Sequence, residues 1–240
     1  MGILTYEFRA CANDVGETNK LTNKGFLRLM QEAAISASES VGYGPNTISK
    51  TRVFWVLLNW KLEVYSRPSW NGKVVIKTWP RNMIKYYSAR DFEIYDENND
   101  LIAIASSKWV LVSLDKGVIK IPEELDKEYD CYDKSVFSEP LDKISEPEDS
   151  VCTFEYIVQR RDLDTNHHVN NTIYLDYAYE ALPKEVHENL DFKNIEIMYK
   201  HEAKQGDNIS CFYKKLETGE HVITIKNSEA NKLHAIVKLY

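Results

Sequence analysis

The chain has 240 residues, enough for one large domain or two small ones. Its 43% of hydrophobic and 28% of charged residues are typical of globular proteins, which excludes a disordered or fibrous chain. A net charge of −7 leaves no basic excess to neutralise phosphates, so general nucleic-acid binding is disfavoured. No apolar run approaches the roughly 20 residues of a membrane span. The start of the chain lacks the pattern of a signal peptide, so we expect a cytoplasmic protein.

The first part of the chain predicts a strand, a helix and then several strands. Apolar residues at three- and four-residue steps predict a helix from Thr22 to about Val41, capped by Thr22 or Asn23. Strict alternation from Val56 to Val64 predicts a strand. Further strands are predicted at 73–79, 90–95 and 101–114, with a hairpin turn at 96–100.

An acidic segment follows these strands. Residues 115–150 contain twelve Asp and Glu against five Lys, three prolines and little apolar periodicity, and the rest of the chain is neutral. This composition is typical of a solvated connection. We therefore predict an N-terminal domain at 1–115, an acidic linker at 116–150 and a C-terminal domain at 151–240.

The part after the linker repeats the first. A constant offset of 148 residues aligns Tyr6–Ala34 with Phe154–Leu182. The aligned elements match in kind: a strand, a polar loop and a helix, the second from Asn171 to about Leu182. Six positions are identical in this alignment: Glu7/Glu155, Asp14/Asp162, Asn23/Asn171, Leu27/Leu175, Glu32/Glu180 and Ala33/Ala181.

The strands after the second helix complete the repeat. They are predicted at 194–199, 208–215, 221–226 and 232–239. Each half thus has one helix and four or five antiparallel strands, and a sheet that wraps a central helix buries the apolar face of both. The fold class predicted is α+β, in two similar halves.

The four cysteines, Cys11, Cys131, Cys152 and Cys211, are dispersed and form no C-x-x-C pair. This spacing disfavours a structural zinc site or a disulfide scaffold. We interpret them as reduced and mostly buried thiols, with a catalytic thiol as the alternative.

The polar loop before the second helix contains the candidate functional residues, although part of it is expected to be a polar turn with helix caps. Asp162 and Asn171 recur in the first half as Asp14 and Asn23, which indicates a structural role. By contrast, Asp164, Asn166 and His168 align with Gly16, Thr18 and Lys20. A scaffold role would be needed in both copies, whereas a site is needed only once, so these three residues are the candidates.

The chemistry of the three residues indicates proton transfer. In an extended segment the alternate side chains of Asp164, Asn166 and His168 would share one face. Histidine can move a proton, a carboxylate can orient a group or activate water, and an amide can polarise a carbonyl. Backbone N–H groups at the start of the second helix could bind an oxyanion. Attack by an activated water is the simplest reaction, since no G-x-S-x-G elbow is present.

Metal sites are disfavoured at this loop. A calcium loop would have Gly at His167 and Glu at Ile173. Zinc would need a third ligand near His167 and His168. We therefore expect no metal and no cofactor.

The run D-L-D-T-N-H-H-V-N-N at 162–171, followed by Tyr174, resembles the signature D-L-D-x-N-x-H-V-N-N of acyl-ACP thioesterases. The resemblance extends over the whole chain, including the strand around Trp109. It implies a tandem double hotdog fold and hydrolysis of fatty acyl-acyl carrier protein. Plant members carry a transit segment that this sequence lacks, so the resemblance implies a bacterial-type, cytosolic enzyme.

The resemblance also implies the site. Asp164, Asn166 and His168 match its catalytic residues, and Glu202 matches a further catalytic Glu after the second helix. A Cys often follows that Glu in plant members, whereas here it is Ala203. This difference favours water activated by Glu202 and His168. Which of the two takes the proton, and whether a carboxylate attacks first, stays open.

The first half is implied to bind the acyl chain, while the second performs the chemistry. Met30, Ala33 and Trp55 are candidates for the pocket wall, with plain core as the alternative. The implied partner, acyl carrier protein, is acidic, and the protein would be a monomer or homodimer. The basic residues that would dock the carrier are Arg160, Arg161, Lys193, Lys200, Lys204, Lys214 and Lys215, with an ordinary solvated surface as the alternative.

Three other functions remain open from the sequence. The first is an acyl-CoA thioesterase of the hotdog superfamily. The second is a non-catalytic acyl-binding hotdog protein, and the third is a hotdog dehydratase, which would release no thiol.

Overall fold

The computed structural model describes residues 2–81, 83–141, 143–188 and 192–240. The chain divides into two compact units, Met1–Leu141 and Asp142–Tyr240, called here the first and second unit. The domain boundaries predicted at 115 and 150 stay predictions, and position 142 of the predicted linker lies outside the described residues.

The first unit is an antiparallel sheet with one long helix. In the sheet the strands have the order β1-β3-β4-β5-β2, and β6 pairs with β5. The elements are β1 (Leu4–Arg9), α1 (Asn23–Ser40), α2 (Ile48–Thr51), β2 (Val53–Val64), β3 (Lys73–Pro80), β4 (Tyr87–Tyr95), β5 (Leu101–Ser113), β6 (Gly117–Val118) and α3 (Glu124–Glu128).

The helix α1 packs against β1 and β3 through the predicted apolar stripe. Its first turn is capped by Thr22, whose hydroxyl oxygen accepts the N–H of Gly25 at 3.0 Å. The small residues of the stripe let the helix approach the sheet closely. The stripe residues buried in α1 are Phe26, Leu29, Met30, Ala33, Ala34 and Ala37.

Part of the acidic segment belongs to the core of the first unit. Ile121, Leu125 and Tyr129 are buried in one cluster with Leu111, and Trp55 packs against them. The helix α3 presents Leu125 to this cluster. Its Glu124, Lys127 and Glu128 are exposed. The burial of these few apolar residues was not predicted, because acidic residues dominate the composition of the segment.

The second unit has the same architecture. Its strands have the order β8-β11-β10-β9-β7. The helix α4 packs against β10 and β11. The elements are β7 (Val151–Ile157), α4 (Ile173–Glu180), α5 (Lys184–His187), β8 (Asn194–Tyr199), β9 (Asn208–Lys215), β10 (His221–Asn227) and β11 (Leu233–Leu239).

The two units have the same topology. In each, the first strand is at one edge, followed by the third, fourth and fifth strands and then the second. The predicted helices and strands are all present, with ends that differ by a few residues. The second helix begins at Ile173, because Asn170 and Asn171 still belong to the preceding loop. The duplication inferred from sequence is confirmed at the level of topology.

The thiols differ from the sequence interpretation. All four are free, but Cys11 and Cys152 are exposed and Cys131 is half-buried, so only Cys211 is buried. Cys152 lies on the edge strand β7, in which every side chain is exposed or half-buried. None of the helices in the described ranges combines the length and apolar character needed to cross a membrane.

Candidate active site

The loop before the main helix has the same backbone hydrogen bonds in both units. In the second unit, the N–H of Asp164 donates to the carbonyl of His168 at 2.8 Å. In the first unit, the N–H of Gly16 donates to the carbonyl of Lys20 at 3.0 Å. These pairs are related by the offset of the sequence repeat. The duplication therefore extends to the loop backbone, and residues of the two loops can be compared one by one.

The loop is a tight turn, so the prediction of an extended segment was wrong. His167 has a left-handed φ of 61°, as its counterpart Asn19 does at 59°. The Oδ1 atom of Asp164 accepts the N–H groups of Asn166 at 2.8 Å and His168 at 3.2 Å. The Asp164 carboxylate thus holds the turn, Asn166 is exposed near its tip, and His168 follows the reversal of the chain.

A buried aspartate at the start of each loop accepts hydrogen bonds from neighbouring residues. Asp162 accepts the N–H of Gln159 at 2.7 Å and the hydroxyl of Tyr177 at 3.2 Å. In the first unit, Asp14 accepts the guanidinium of Arg28. Since both copies keep the carboxylate and satisfy it with local donors, we infer that this position is structural.

Replacing Asp162 with Ala should lower stability rather than turnover. The change leaves buried donors without their acceptor, so we expect the free energy of unfolding to fall by about 1–3 kcal/mol. Thermal melting and activity per folded molecule check this, with Asp14→Ala as the matched variant in the first unit. A normal melting curve together with a large loss of turnover would contradict the structural role.

Glu202 lies beside His168. The N–H of Val169 donates to the carbonyl of Ala203 at 2.9 Å. His168 precedes Val169 in the chain, and Glu202 precedes Ala203. Nε2 of His168 lies 3.5 Å from Oε1 of Glu202. Catalytic hydrogen bonds are often this long before a substrate binds. The two side chains are 32% and 58% exposed, so water and a substrate can reach both.

The first unit has no carboxylate at the corresponding place. There the N–H of Leu21 donates to the carbonyl of Pro68 at 2.8 Å, so Pro68 corresponds to Ala203. Arg67 is then the counterpart of Glu202, and its guanidinium donates to the carbonyl of Leu21 at 3.0 Å. The described residues thus place all four predicted catalytic side chains in the second unit alone.

The three predicted pocket residues lie in the first unit. Met30 and Ala33 are fully buried on α1. Trp55 is half-buried on β2, where its Nε1–H donates to the hydroxyl of Tyr129 at 2.7 Å. A role of these residues in binding an acyl chain stays a prediction.

The start of α4 offers fewer free donors than expected, because Asn170 accepts the N–H groups of Thr172 and Ile173.

Burial raises the pKa of Cys131 to about 12 and also raises that of Cys211, which disfavours both as nucleophilic thiolates.

Across residues 2–81, 83–141, 143–188 and 192–240, no three His, Cys, Asp or Glu side chains gather as ligands would.

Two of the predicted basic residues line a hollow near the loop. Arg160 and Arg161 are exposed and border an open depression of about 850 Å³, together with Gln205 and Gly206. The N–H of Gly206 donates to the carbonyl of Val158 at 3.0 Å, which joins the two sides of the depression.

Comparison with known families identifies the chain. Residues 4–129 match the acyl-ACP thioesterase N-terminal domain, and residues 145–238 match the acyl-ACP thioesterase C-terminal domain. The chain belongs to the acyl-ACP thioesterase family. The resemblance based on the loop signature is therefore confirmed over nearly the whole chain.

Curated relatives of this acyl-ACP thioesterase family member include plant proteins. Oleoyl-acyl carrier protein thioesterase 2 of Arabidopsis thaliana is 27% identical over 88% of this chain and 62% of that protein. A palmitoyl-acyl carrier protein thioesterase of the same plant is 26% identical over 84% of this chain and 52% of that protein. The chain spans about three-fifths or less of the length of these curated relatives.

Solved structures establish the fold. An acyl-ACP thioesterase from Bacteroides thetaiotaomicron superposes with a TM-score of 0.89 at 22% identity, over 99% of this chain and 97% of that chain. The 12:0-ACP thioesterase from Umbellularia californica gives a TM-score of 0.85 at 20% identity, over 99% and 96%. The protein has the α+β, tandem double hotdog fold.

Proposed function

We propose that this protein hydrolyses the thioester of fatty acyl-acyl carrier protein, releasing the fatty acid and the carrier thiol. The observation that carries the proposal is the contact of His168 with Glu202 beside the Asp164 turn, present in one of two duplicated loops. The family of the chain and the names of its relatives support the substrate class.

In the proposed reaction the His168–Glu202 pair activates a water molecule. One member of the pair removes a proton as the water attacks the thioester carbonyl, and the pair then returns a proton to the departing sulfur. Asp164 fixes the backbone of the turn and hence the position of the imidazole. The side chain of Asn166 is exposed at the turn and donates one amide N–H to Oδ2 of Asp164 at 3.4 Å, which leaves its second N–H for the carbonyl of the substrate.

The first unit would supply the acyl-chain site. Its loop has Gly, Thr and Lys where the second unit has catalytic residues, but it retains the longer apolar helix. Met30, Ala33 and Trp55 are our candidates for contacts with the chain. The carrier would approach the second unit near Arg160 and Arg161, where cations complement an acidic protein.

The test is thiol release from a panel of acyl carrier protein thioesters of medium to long chains, beside matched CoA thioesters. We expect release from the carrier panel, strongest at one chain length. Comparable or better turnover of the CoA thioesters would instead indicate an acyl-CoA thioesterase. Folded protein that binds acyl groups and hydrolyses neither panel would indicate a non-catalytic acyl-binding protein and would refute the proposal.

A further inference from the structure

Glu202 follows β8 in the short bend at 201–203, called here the turn of Glu202, and hydrogen bonds hold the residues on both sides of it. The residue after it, Ala203, is fully buried and donates its N–H to the hydroxyl oxygen of Tyr174 at 3.0 Å. The residue before it, His201, has its carbonyl 3.0 Å from Nδ1 of His234. Because a carbonyl can only accept, Nδ1 of His234 must carry the proton and donate it.

The two side chains that bond to this turn belong to the core of the second unit. Tyr174 and His234 are each 2% exposed. The Tyr174 ring makes edge-to-face contacts with the rings of Tyr177 and Tyr199. Nε2 of His234 is buried without a hydrogen-bond partner among the described residues, so the Nδ1 bond is what its imidazole contributes.

The first unit has neither the donor nor the acceptor of the hydrogen bond between Ala203 and Tyr174. By the offset of the loops, the counterpart of Tyr174 is Phe26, which has no hydroxyl. The counterpart of Ala203 is Pro68, which has no N–H to donate. The hydrogen bond is therefore specific to the copy that carries Glu202.

The first unit lacks the His234 contact as well. The N–H groups of Lys200 and His201 donate to the carbonyl of His234, as those of Tyr65 and Ser66 donate to the carbonyl of Ile102. Ile102 is thus the counterpart of His234, and its side chain cannot donate. Two side-chain hydrogen bonds to the turn of Glu202 are therefore absent from the copy without the site, although that copy keeps the corresponding backbone hydrogen bonds.

We propose that Tyr174 and His234 are positioning residues that hold the turn of Glu202 so that its carboxylate faces His168. A bond needed only to support the fold would be expected in both copies, whereas these two accompany the catalytic carboxylate. The inference rests on the proposed function for its kinetic consequence, but the positioning itself can be measured without turnover.

The kinetic test uses Tyr174→Phe and His234→Ile, which install the residues that the first unit has at these places. Since neither side chain reaches the substrate, we expect kcat for thiol release to fall roughly 10- to 100-fold with KM little changed. The matched control is Tyr177→Phe, which removes a buried hydroxyl from the same helix but from Asp162 rather than from the turn. It should keep normal kcat at temperatures where all variants are folded.

The second test is independent of activity. Nuclear magnetic resonance of the His168 ring is recorded with and without Glu202→Gln in each background. We expect the substitution to displace the His168 signals in the wild type and in Tyr177→Phe, and to displace them much less in Tyr174→Phe and His234→Ile. Equal displacement in all backgrounds, or none in the wild type, would overturn the inference.

The two tests separate the two proposals. Absence of thiol release by the wild type refutes the hydrolase, while the resonance pattern still decides the positioning. In an active enzyme, unchanged kcat in folded Tyr174→Phe and His234→Ile refutes the positioning and leaves the hydrolase standing.

Discussion

Replacing His168 with Ala should lower kcat for thiol release by roughly 10²–10⁴-fold, the usual loss for a positioned acid–base group. Only the imidazole is lost, because the N–H of residue 168 still donates to Asp164 and its carbonyl still accepts the N–H of Asp164. The turn should therefore keep its shape, and the melting temperature should stay near that of the wild type.

The control for this variant lies one residue earlier. His167 is exposed, and its counterpart Asn19 has the same left-handed conformation. His167→Asn therefore removes an imidazole from the same loop without backbone strain and should leave kcat unchanged. Near-normal turnover of folded His168→Ala, or an equal loss in His167→Asn, would contradict the assignment.

Replacing Glu202 with Gln should have an effect of similar size, a loss in kcat of roughly 10²–10⁴-fold. The amide keeps the shape of the side chain but cannot take up a proton or stabilise an imidazolium. Since the side chain is 58% exposed, the substitution should cost little stability.

A control variant at another carboxylate of the second unit distinguishes the loss of the Glu202 carboxylate from a general change in net charge. Glu217 is exposed in the turn between β9 and β10. Glu217→Gln should hydrolyse the thioester at the normal rate. If Glu202→Gln retains wild-type kcat, the carboxylate has no part in the reaction and the proposed pair is wrong.

The duplication is the part of the fold that the sequence predicted best. Helices and strands were predictable from periodicity, and the offset of the repeat related residues whose backbone conformations proved to be the same, such as Asn19 and His167. The comparison of copies also separated the structural Asp162 from the catalytic candidates. The same comparison aligns Tyr174 with Phe26. Because both residues are aromatic, the alignment did not indicate that the hydroxyl of Tyr174 makes a hydrogen bond that the first unit lacks.

Other features depend on contacts that a linear pattern does not contain. The approach of Glu202 to His168 depends on contacts between segments more than 30 residues apart, among them the backbone bond from Val169 to Ala203. The reversal of the chain at residues 164–168 was missed, because the alternation of an extended segment was applied to these residues. The burial of Leu125 within an acidic segment depends on a surface that forms only when β2 and β5 have paired.

The central claim is that His168 and Glu202 act as one catalytic unit. It is tested most directly by thiol release from the preferred carrier thioester in the wild type, His168→Ala, Glu202→Gln and the double variant. Groups that act together lose their effect together, so we expect the double variant to be less than about tenfold slower than the slower single variant. Losses that multiply in the double variant would show that the two residues act independently and would contradict the proposed pair.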